Sequence, residues 1–586
     1  MTISLSEFHE IWCIDFEFSA LPGNRPTPVC LVAHEVMSGR TLSYWKDELS
    51  RLQRPPYGID GKALIVAYYA SAEMGCHLAL NWEIPACLLD LCAEFRNLTN
   101  GVRTLCGKSL LAALASFGLC GGDETEKEEM RELALRGGPW SPAERQALLD
   151  YCHSDVMALT KLFKKMLPVL DVPRALLRGW FMVPAADMEY TGIPIEVHLI
   201  NLMRLHWEDI KEQLIAEVDA ELGVYEGQRF KGVLFEQYLK TRNIAWPRHE
   251  SGKLRLDDET FREMAHRHED IHRLRELRMT LSQMRNFALT IGTDGRNRYL
   301  LSAFSSKTGR NQPSNTKSIF GLAKWLRGLI KPQRGRGLAY IDYCQQEFGI
   351  AAYLSGDPAM IQAYESSDPY LTFGIQSDLL PQDATKDTHG FEREQLKSCV
   401  LGVLYGMGAE SLALKIGQSK FHAHELLRLH KRTYHTFWKW IDQVLNYALL
   451  HRRLYTVFGW TLRLDDHPNP RSIINFPMQA NGAEMLRLAC CYALERGESI
   501  CAPIHDAILI EAPLRRLDEA VRTARQAMAD ASAAVLGGPR LRTDVQLIRY
   551  PDRYADKRGH MWTTVMTILH QLRAADTYRD RYGNAV

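Results

Sequence analysis

Carboxylates set into apolar, strand-like runs restrict this chain more than any other feature. The run IWCIDFEF is rich in β-branched and aromatic residues yet carries Asp15 and Glu17. LAYID reads as a buried strand ending at Asp342, and the following QQEFGIAAYLSGD as a helix that packs through Phe348, Ala351, Ala352 and Leu354. In CAPIHDAILIEA two apolar runs flank His505 and Asp506 as two strands flank a tight turn, which puts Asp506 at a hairpin tip. Taken singly, Asp342 reads equally well as a helix N-cap. With its strand beside that hairpin in one sheet, Asp342 and Asp506 would instead hold two divalent cations ~3.5–4 Å apart, the arrangement used for in-line displacement at phosphorus. Hard carboxylate ligands suit magnesium.

At 586 residues the chain exceeds one hydrophobic core, and three or more structural units are predicted. Hydrophobic residues at 46% and charged residues at 24% exclude a largely disordered chain. The net charge of +1 gives no bulk nucleic-acid signal, so any phosphate-binding surface must be a local basic patch. No leader and no membrane-spanning apolar run is seen, and the thirteen cysteines form no CxxC pair. A cytoplasmic protein with reduced thiols and no membrane partner is expected. Strands and helices alternate to about residue 170, as in an α/β domain. Apolar periodicity then predicts one long helix from about Ile195 to Leu222 and a second around 257–292. The pair reads either as a projecting arm or as an ordinary helical hairpin with solvated charges.

Four further constellations stand out. Arg393, Lys397, Leu401 and Tyr405 recur every four residues and so lie along one side of a helix, a stripe shaped for a triphosphate, a sugar and a base. Arg471, Asn475 and Gln479 repeat the spacing with long polar donors suited to shape-type contacts with a duplex. Taken alone, either stripe is more often a solvated helix face. Asp15 and Glu17, two apart, point to one side of a strand. Tyr151 and Asp155 share a helical face.

The segments around Asp342, Arg393 and Asp506, in this order, resemble motifs A, B and C of family A DNA polymerases. The resemblance covers roughly residues 180–550 and includes the TGR at Thr308–Arg310, the Arg471/Asn475/Gln479 run, and MEYTGIPI with Glu189 and Gly192. It implies Asp342 and Asp506 as metal ligands, with Lys397 taking part in catalysis and Arg393 and Lys397 holding the incoming triphosphate. It implies Leu401 and Tyr405 beside the nascent base pair, Gln346 and Glu347 at the nucleotide, and Glu347 as the steric gate against a 2′-OH. Arg310, Arg471, Asn475, Gln479 and His505 would touch primer-template DNA. The DxE of Asp15 and Glu17 with the YxxxD of Tyr151 and Asp155 is similar to DEDD-type 3′→5′ exonucleases, with Tyr151 orienting the attacking water. Of Glu73, Asp90 and Glu94, Glu73 best fits the third acidic position, where an aspartate is usual, and the resemblance implies Asp15, Glu17, Glu73 and Asp155 as the metal ligands there. Ala507 and Cys344 stand where the family usually has glutamate and serine. Leu401 replaces the usual aromatic residue, as in some phage and mobile-element polymerases.

The resemblance therefore implies a multi-domain α/β protein. Residues 1–175 form a ribonuclease H-like exonuclease domain, and residues 176–586 a right-hand polymerase with thumb about 195–295, fingers about 357–450 and palm the remainder. A monomeric enzyme is expected, using dNTPs and primer-template DNA, with two Mg2+ in each site, Mn2+ as an alternative, and no 5′-nuclease domain. A single-subunit RNA polymerase is disfavoured by Glu347 and by the exonuclease pattern. An exonuclease whose second half only binds nucleic acid, or a non-catalytic scaffold, is disfavoured by Asp342, Lys397 and Asp506.

Overall fold

Alternation along the first strand decides the first layer of the fold. In a computed structural model that describes residues 7–103, 107–119, 124–265, 268–285, 288–555 and 560–582, β1 (Glu10–Ser19) sends Trp12, Ile14 and Phe16 to one face and Ile11 and Cys13 to the other. Both faces are buried, which requires helices on each side. The strand pairs with β2 (Thr27–Glu35), itself paired with β3 (Thr41–Trp45), and on its other edge with β4 (Ala63–Ala67), which pairs with β5 (Leu88–Asp90). The order is β3-β2-β1-β4-β5, with β2 antiparallel to its neighbours and the β1-β4-β5 ladder parallel, a ribonuclease H-like arrangement. The long helix Pro142–Met166 packs on β1 and β2.

The second sheet is antiparallel throughout. The strand Arg336–Tyr343 lies between Ala507–Pro513 and Thr543–Arg549, and Ser499–Ile504 completes the order. Its two faces belong to different cores. Ala339, Ile341 and Tyr343 face the helices Pro470–Glu495 and Leu517–Leu536. Leu338, Leu509 and Ile548 join the core of the helical arm. The helix Val172–Thr191 packs on both sheets' surroundings, touching β5 on one side and the strand Ser499–Ile504 on the other. The boundary expected at 175/176 falls inside this helix, so no linker separates the two halves there.

The arm differs from its sequence prediction. Its first long helix breaks at His206 into Val197–Leu205 and Trp207–Asp219, and the second comprises Asp258–Ala265 and Glu269–Arg285. Ile200 and Met203 on one side of the break and Ile210 and Leu214 on the other all enter a single core. Arg273 and Arg275 pair with Glu221 (3.1 Å) and Asp258 (3.0 Å), and Arg278 stacks 4.3 Å from the Phe230 and Phe261 rings. These arginines serve the arm's own packing. Six helices from Pro358–Glu365 to His435–His451 form the segment expected as fingers.

One charged contact ties the halves together deep inside. Arg178 meets Glu94 through two hydrogen bonds (2.5 and 2.8 Å), with both side chains almost wholly buried. Removing one partner strands the other charge away from water. Arg178→Ala is therefore expected to destabilise the protein by about 3–5 kcal/mol, to be read as a lower denaturant midpoint. A change below about 1 kcal/mol would mean that water reaches Glu94.

Candidate polymerase and exonuclease sites

Asp342 is the last carboxylate-bearing position of the central strand, and the hairpin beside it is in register so that Asp342 opposes Ala507. The two-residue turn between Ile504 and Ala507 is His505-Asp506, with His505 at φ +55°. The Tyr343 N–H donates to the Asp506 carbonyl at 3.2 Å, and so the turn is fastened to the strand end. Asp342 and Asp506 thus share one corner of the sheet, close enough for the charge of Asp506 to act on Asp342. Burial, and then the charges of Asp506 and Asp544, push Asp342 up to about 7. One of its oxygens, Oδ1, is buried without a partner.

Asp544 was not singled out from the sequence. It is the cross-strand partner of Asp342 on the side opposite Ala507, and the Cys344 side chain hydrogen-bonds to it. The signal was there in the TDVQLIR run, another carboxylate at the start of a strand-like segment.

The helix Gly390–Leu404 carries Arg393, Lys397 and Leu401, with Tyr405 at its C-cap. Arg393 does not stand free. Its Nε bonds Asp368 and its other arm meets Glu394 at 2.6 Å, while Lys397 lies 3.9 Å from Glu394. Beneath both cations is the Tyr370 ring, 5.3 and 5.9 Å away. Asp368 also caps the helix Pro369–Gln376 by accepting from the Tyr370 and Leu371 N–H groups, which fixes it for this pairing. Sequence reasoning missed Asp368 and Tyr370, since nothing local in SSDPYLTF marks them. Leu401 is partly buried against the main core.

Glu347 links this helix to Arg310 and to the helix Pro470–Glu495. Its carboxylate pairs with Arg310 at 3.2 Å and accepts from the Tyr405 hydroxyl, which Gln479 also meets. Burial first, then Glu347, pushes Tyr405 up to about 12. Gln346 turns the other way. It is buried, and its amide donates to the Gly482 carbonyl at 3.5 Å, because the helix starting there turns this face onto Pro470–Glu495; the expectation that it contacts a nucleotide is not met by its side chain. Gly482 leaves the room, since a Cβ there would come within 2.6 Å of the Gln346 amide oxygen. Arg471, Asn475 and Gln479 lie on Pro470–Glu495 and line one groove with Tyr405. His505 is driven below its ordinary pKa by burial, with Arg310, Arg327 and Lys324 adding to the effect and Asp506 opposing it.

The segment MEYTGIPI is explained by packing. Glu189 accepts from the Leu301 N–H at 2.7 Å, and Gly192 sits at φ +69° where a Cβ would lie 2.8 Å from the Asn297 carbonyl. Arg296 then bridges the Gly192 carbonyl to Glu511 on the second sheet, both at 2.9 Å.

In the first half, Asp15, Glu17 and Asp155 each offer an oxygen within 4.8 Å of the others. Burial, followed by the charge of Asp155, pushes Asp15 up to about 7, and burial with Asp15 drives Glu17 well up. Tyr151 donates to Asp155 at 2.8 Å, and Lys127, which sequence reasoning missed, pairs with the same oxygen at 2.9 Å. Glu73 lies behind this group, its carboxylate accepting from the Phe16 N–H at 2.9 Å, and burial, then Asp15 and Glu17, raise it well above the usual range. The other two candidates have structural employment. Asp90 accepts from Tyr69, Ala70, Cys92 and Ala93, and Glu94 holds Arg178.

Two acidic corners, a cation-bearing helix and a groove of polar donors are therefore set in one chain. The model of DNA polymerase family A matches residues 199–547. DNA polymerase I of Chloroflexus aurantiacus is 22% identical over 429 residues, covering 66% of this chain and 44% of that protein. The thermostable DNA polymerase I of Thermus aquaticus is 23% identical over 433 residues, covering 67% and 50%. The chain spans about half the length of these relatives. The POL domain of Pol1 from M. smegmatis, solved in complex with DNA primer-template and dNTP, shares the fold with a TM-score of 0.69 at 15% identity, over 95% of this chain and 96% of that one. With more than half of its length matched by the family's model, the chain belongs to DNA polymerase family A.

Proposed function

We propose that this chain extends a DNA primer on a template by adding dNTPs to its 3′-OH, and that its first half excises mismatched primer ends as a 3′→5′ exonuclease. The pairing of Asp342 with Asp506 at one sheet corner carries the first reading. In this reading the exonuclease unit runs to about residue 175, the thumb lies near 195–295 and the fingers near 357–450. The enzyme acts as a monomer in the cytoplasm; among the described residues no helix is long and apolar enough to cross a membrane.

The acidic corners fit divalent cations, Mg2+ or in its place Mn2+, two in each site. Their donors are hard oxygens, and Asp342 Oδ1 is a buried oxygen without a protein partner. When bound, such ions supply positive charge beside the attacking and leaving oxygens at phosphorus. The chain's own residues do the positioning. Arg393 and Lys397 hold the triphosphate, with Tyr370 backing both. Leu401 and Tyr405 shape the space for sugar and base, and Glu347 crowds the position of a 2′-OH. Arg310, Arg471, Asn475, Gln479 and His505 meet the primer-template duplex. In the exonuclease, Asp15, Glu17, Glu73 and Asp155 hold metal, the first two and Asp155 already within reach of one ion, and Tyr151 orients water once Asp155 engages it.

Separation of the two activities is the first expectation. Asp506→Ala should abolish primer extension and spare excision, and Asp15→Ala with Glu17→Ala should do the reverse. Loss of both activities in either variant refutes a two-site enzyme. Second, Glu347→Ala should raise the ratio of kcat/KM for rNTP over dNTP by at least about tenfold, worth 1.4 kcal/mol. The same change releases Arg310 and Tyr405, so dNTP incorporation itself should fall. An unchanged ratio places the gate elsewhere.

A third expectation follows from the raised carboxylates. Asp15 and Asp342, at about 7 in the fold against 3.8 unperturbed, contribute stability that is complete below about pH 4 and is lost as pH rises through 7. The melting temperature in EDTA should therefore fall between pH 5 and 8, and Mg2+ should restore more at pH 8 than at pH 6, because it binds the deprotonated groups. Equal restoration at both values would separate these carboxylates from metal binding.

A further inference from the structure

The helix Leu91–Leu98 begins in the exonuclease-like half, and its C-terminal end reaches into the other half. Asn97 and Asn100 are buried there, and their side-chain amides bond the backbone of the polymerase half. Asn97 accepts from the Thr461 N–H at 2.7 Å, and Asn100 Nδ2 donates to the carbonyls of Lys307 (2.6 Å) and Thr461 (2.8 Å). The contact is returned, since the Arg463 N–H donates to the Asn100 carbonyl at 3.0 Å and the Arg463 guanidinium to the Asn97 carbonyl at 2.8 Å. At Gly101 the approach is so close that a Cβ would lie 2.0 Å from the Arg463 carbonyl.

What these amides hold is the loop Ser306–Arg310 and the hairpin Arg453–Tyr455/Thr461–Arg463. The Lys307 carbonyl that Asn100 bonds also accepts from Trp460 Nε1 at 3.0 Å. Gly309, at φ +73°, lies against the Trp460 ring, and its carbonyl accepts from Arg487 at 2.6 Å. The Arg310 N–H closes the loop on Ser306 Oγ at 2.8 Å, and its guanidinium points to Glu347. Gly101, Lys307 and Thr308 line the same groove as Tyr405, Arg471 and Gln479. A residue of the exonuclease-like half is thus part of the wall along which the duplex-facing donors are arrayed.

We infer that Asn100 is a positioning residue for primer-template binding, fixing the loop Ser306–Arg310 against the hairpin from the neighbouring half of the chain. Asn100 reaches the loop through a carbonyl, so the bond itself occupies none of the loop's side chains. The two bonds set where Thr308 and Arg310 stand without touching DNA. This inference rests on the polymerase reading above, so its test includes a binding measurement that needs no turnover.

The variants are Asn100→Ala and Asn100→Asp, the second having the same shape but no amide donor. The measurements are the Kd for a fluorescein-labelled primer-template duplex and for the single-stranded template, together with the KM for dNTP at saturating DNA. Loss of two buried hydrogen bonds should weaken duplex binding by roughly tenfold in both variants. The Kd for single-stranded template and the KM for dNTP should stay within about twofold. An unchanged duplex Kd in both variants overturns the inference, as does a parallel loss in all three quantities, which would mark general damage to the fold. Absence of primer extension by the unaltered protein would instead sink the polymerase reading, while the duplex Kd values still decide the role of Asn100.

Discussion

Like charges are forced together at the end of the second sheet, and the remainder of the structure is built to tolerate that. Asp342 and Asp506 would separate in water, but strand register and the Tyr343 to Asp506 bond keep them adjacent. Asp544 adds a third acid from the far side. Without a cation the arrangement is tolerated by protonation, hence the upward shift of Asp342. Cations of the protein itself are kept at the margins: Arg310 is turned to Glu347, and Arg393 to Asp368. The corner keeps its demand for positive charge unmet by side chains.

The first sheet handles the same problem differently. Lys127 reaches into the Asp15, Glu17 and Asp155 group and neutralises part of it, with Tyr151 bonded to the same oxygen. Among the described residues, one acidic site therefore pairs with a lysine and no cation is paired with Asp342 or Asp506 at the other. Two acidic clusters are thus given different resting electrostatics within one chain.

Carboxylates set among apolar residues were legible because such an acid conflicts with burial unless it faces a cleft. Asp342 at a strand end, Asp506 in a hairpin turn, and Asp15 and Glu17 within β1 all stand out this way, and Glu73 by its place after an apolar run. Which strand lies beside Asp342 was not legible, because register is a long-range property; Asp544 was missed for that reason. Lys127 and Asp368 act through contacts with residues distant in sequence and leave no local pattern. The arm helices were drawn too long because periodicity continues through His206 although the axis turns there. The helix Val172–Thr191 hid the boundary for a related reason. It is apolar toward both halves, with Phe181 and Met182 in a core that runs through each, so composition does not change where the role does.

The Arg393 to Asp368 pair has a consequence for selectivity among anions. A guanidinium already satisfied by a carboxylate offers little to a ligand bearing one negative charge, since such a ligand only replaces what is present and gains nothing for its lost hydration. A polyanion has more to offer, because it can engage Arg393 and Lys397 together while Asp368 keeps its cap on the helix Pro369–Gln376. The pair thus sets a threshold on charge, since any anion that takes Arg393 must first displace a carboxylate from it.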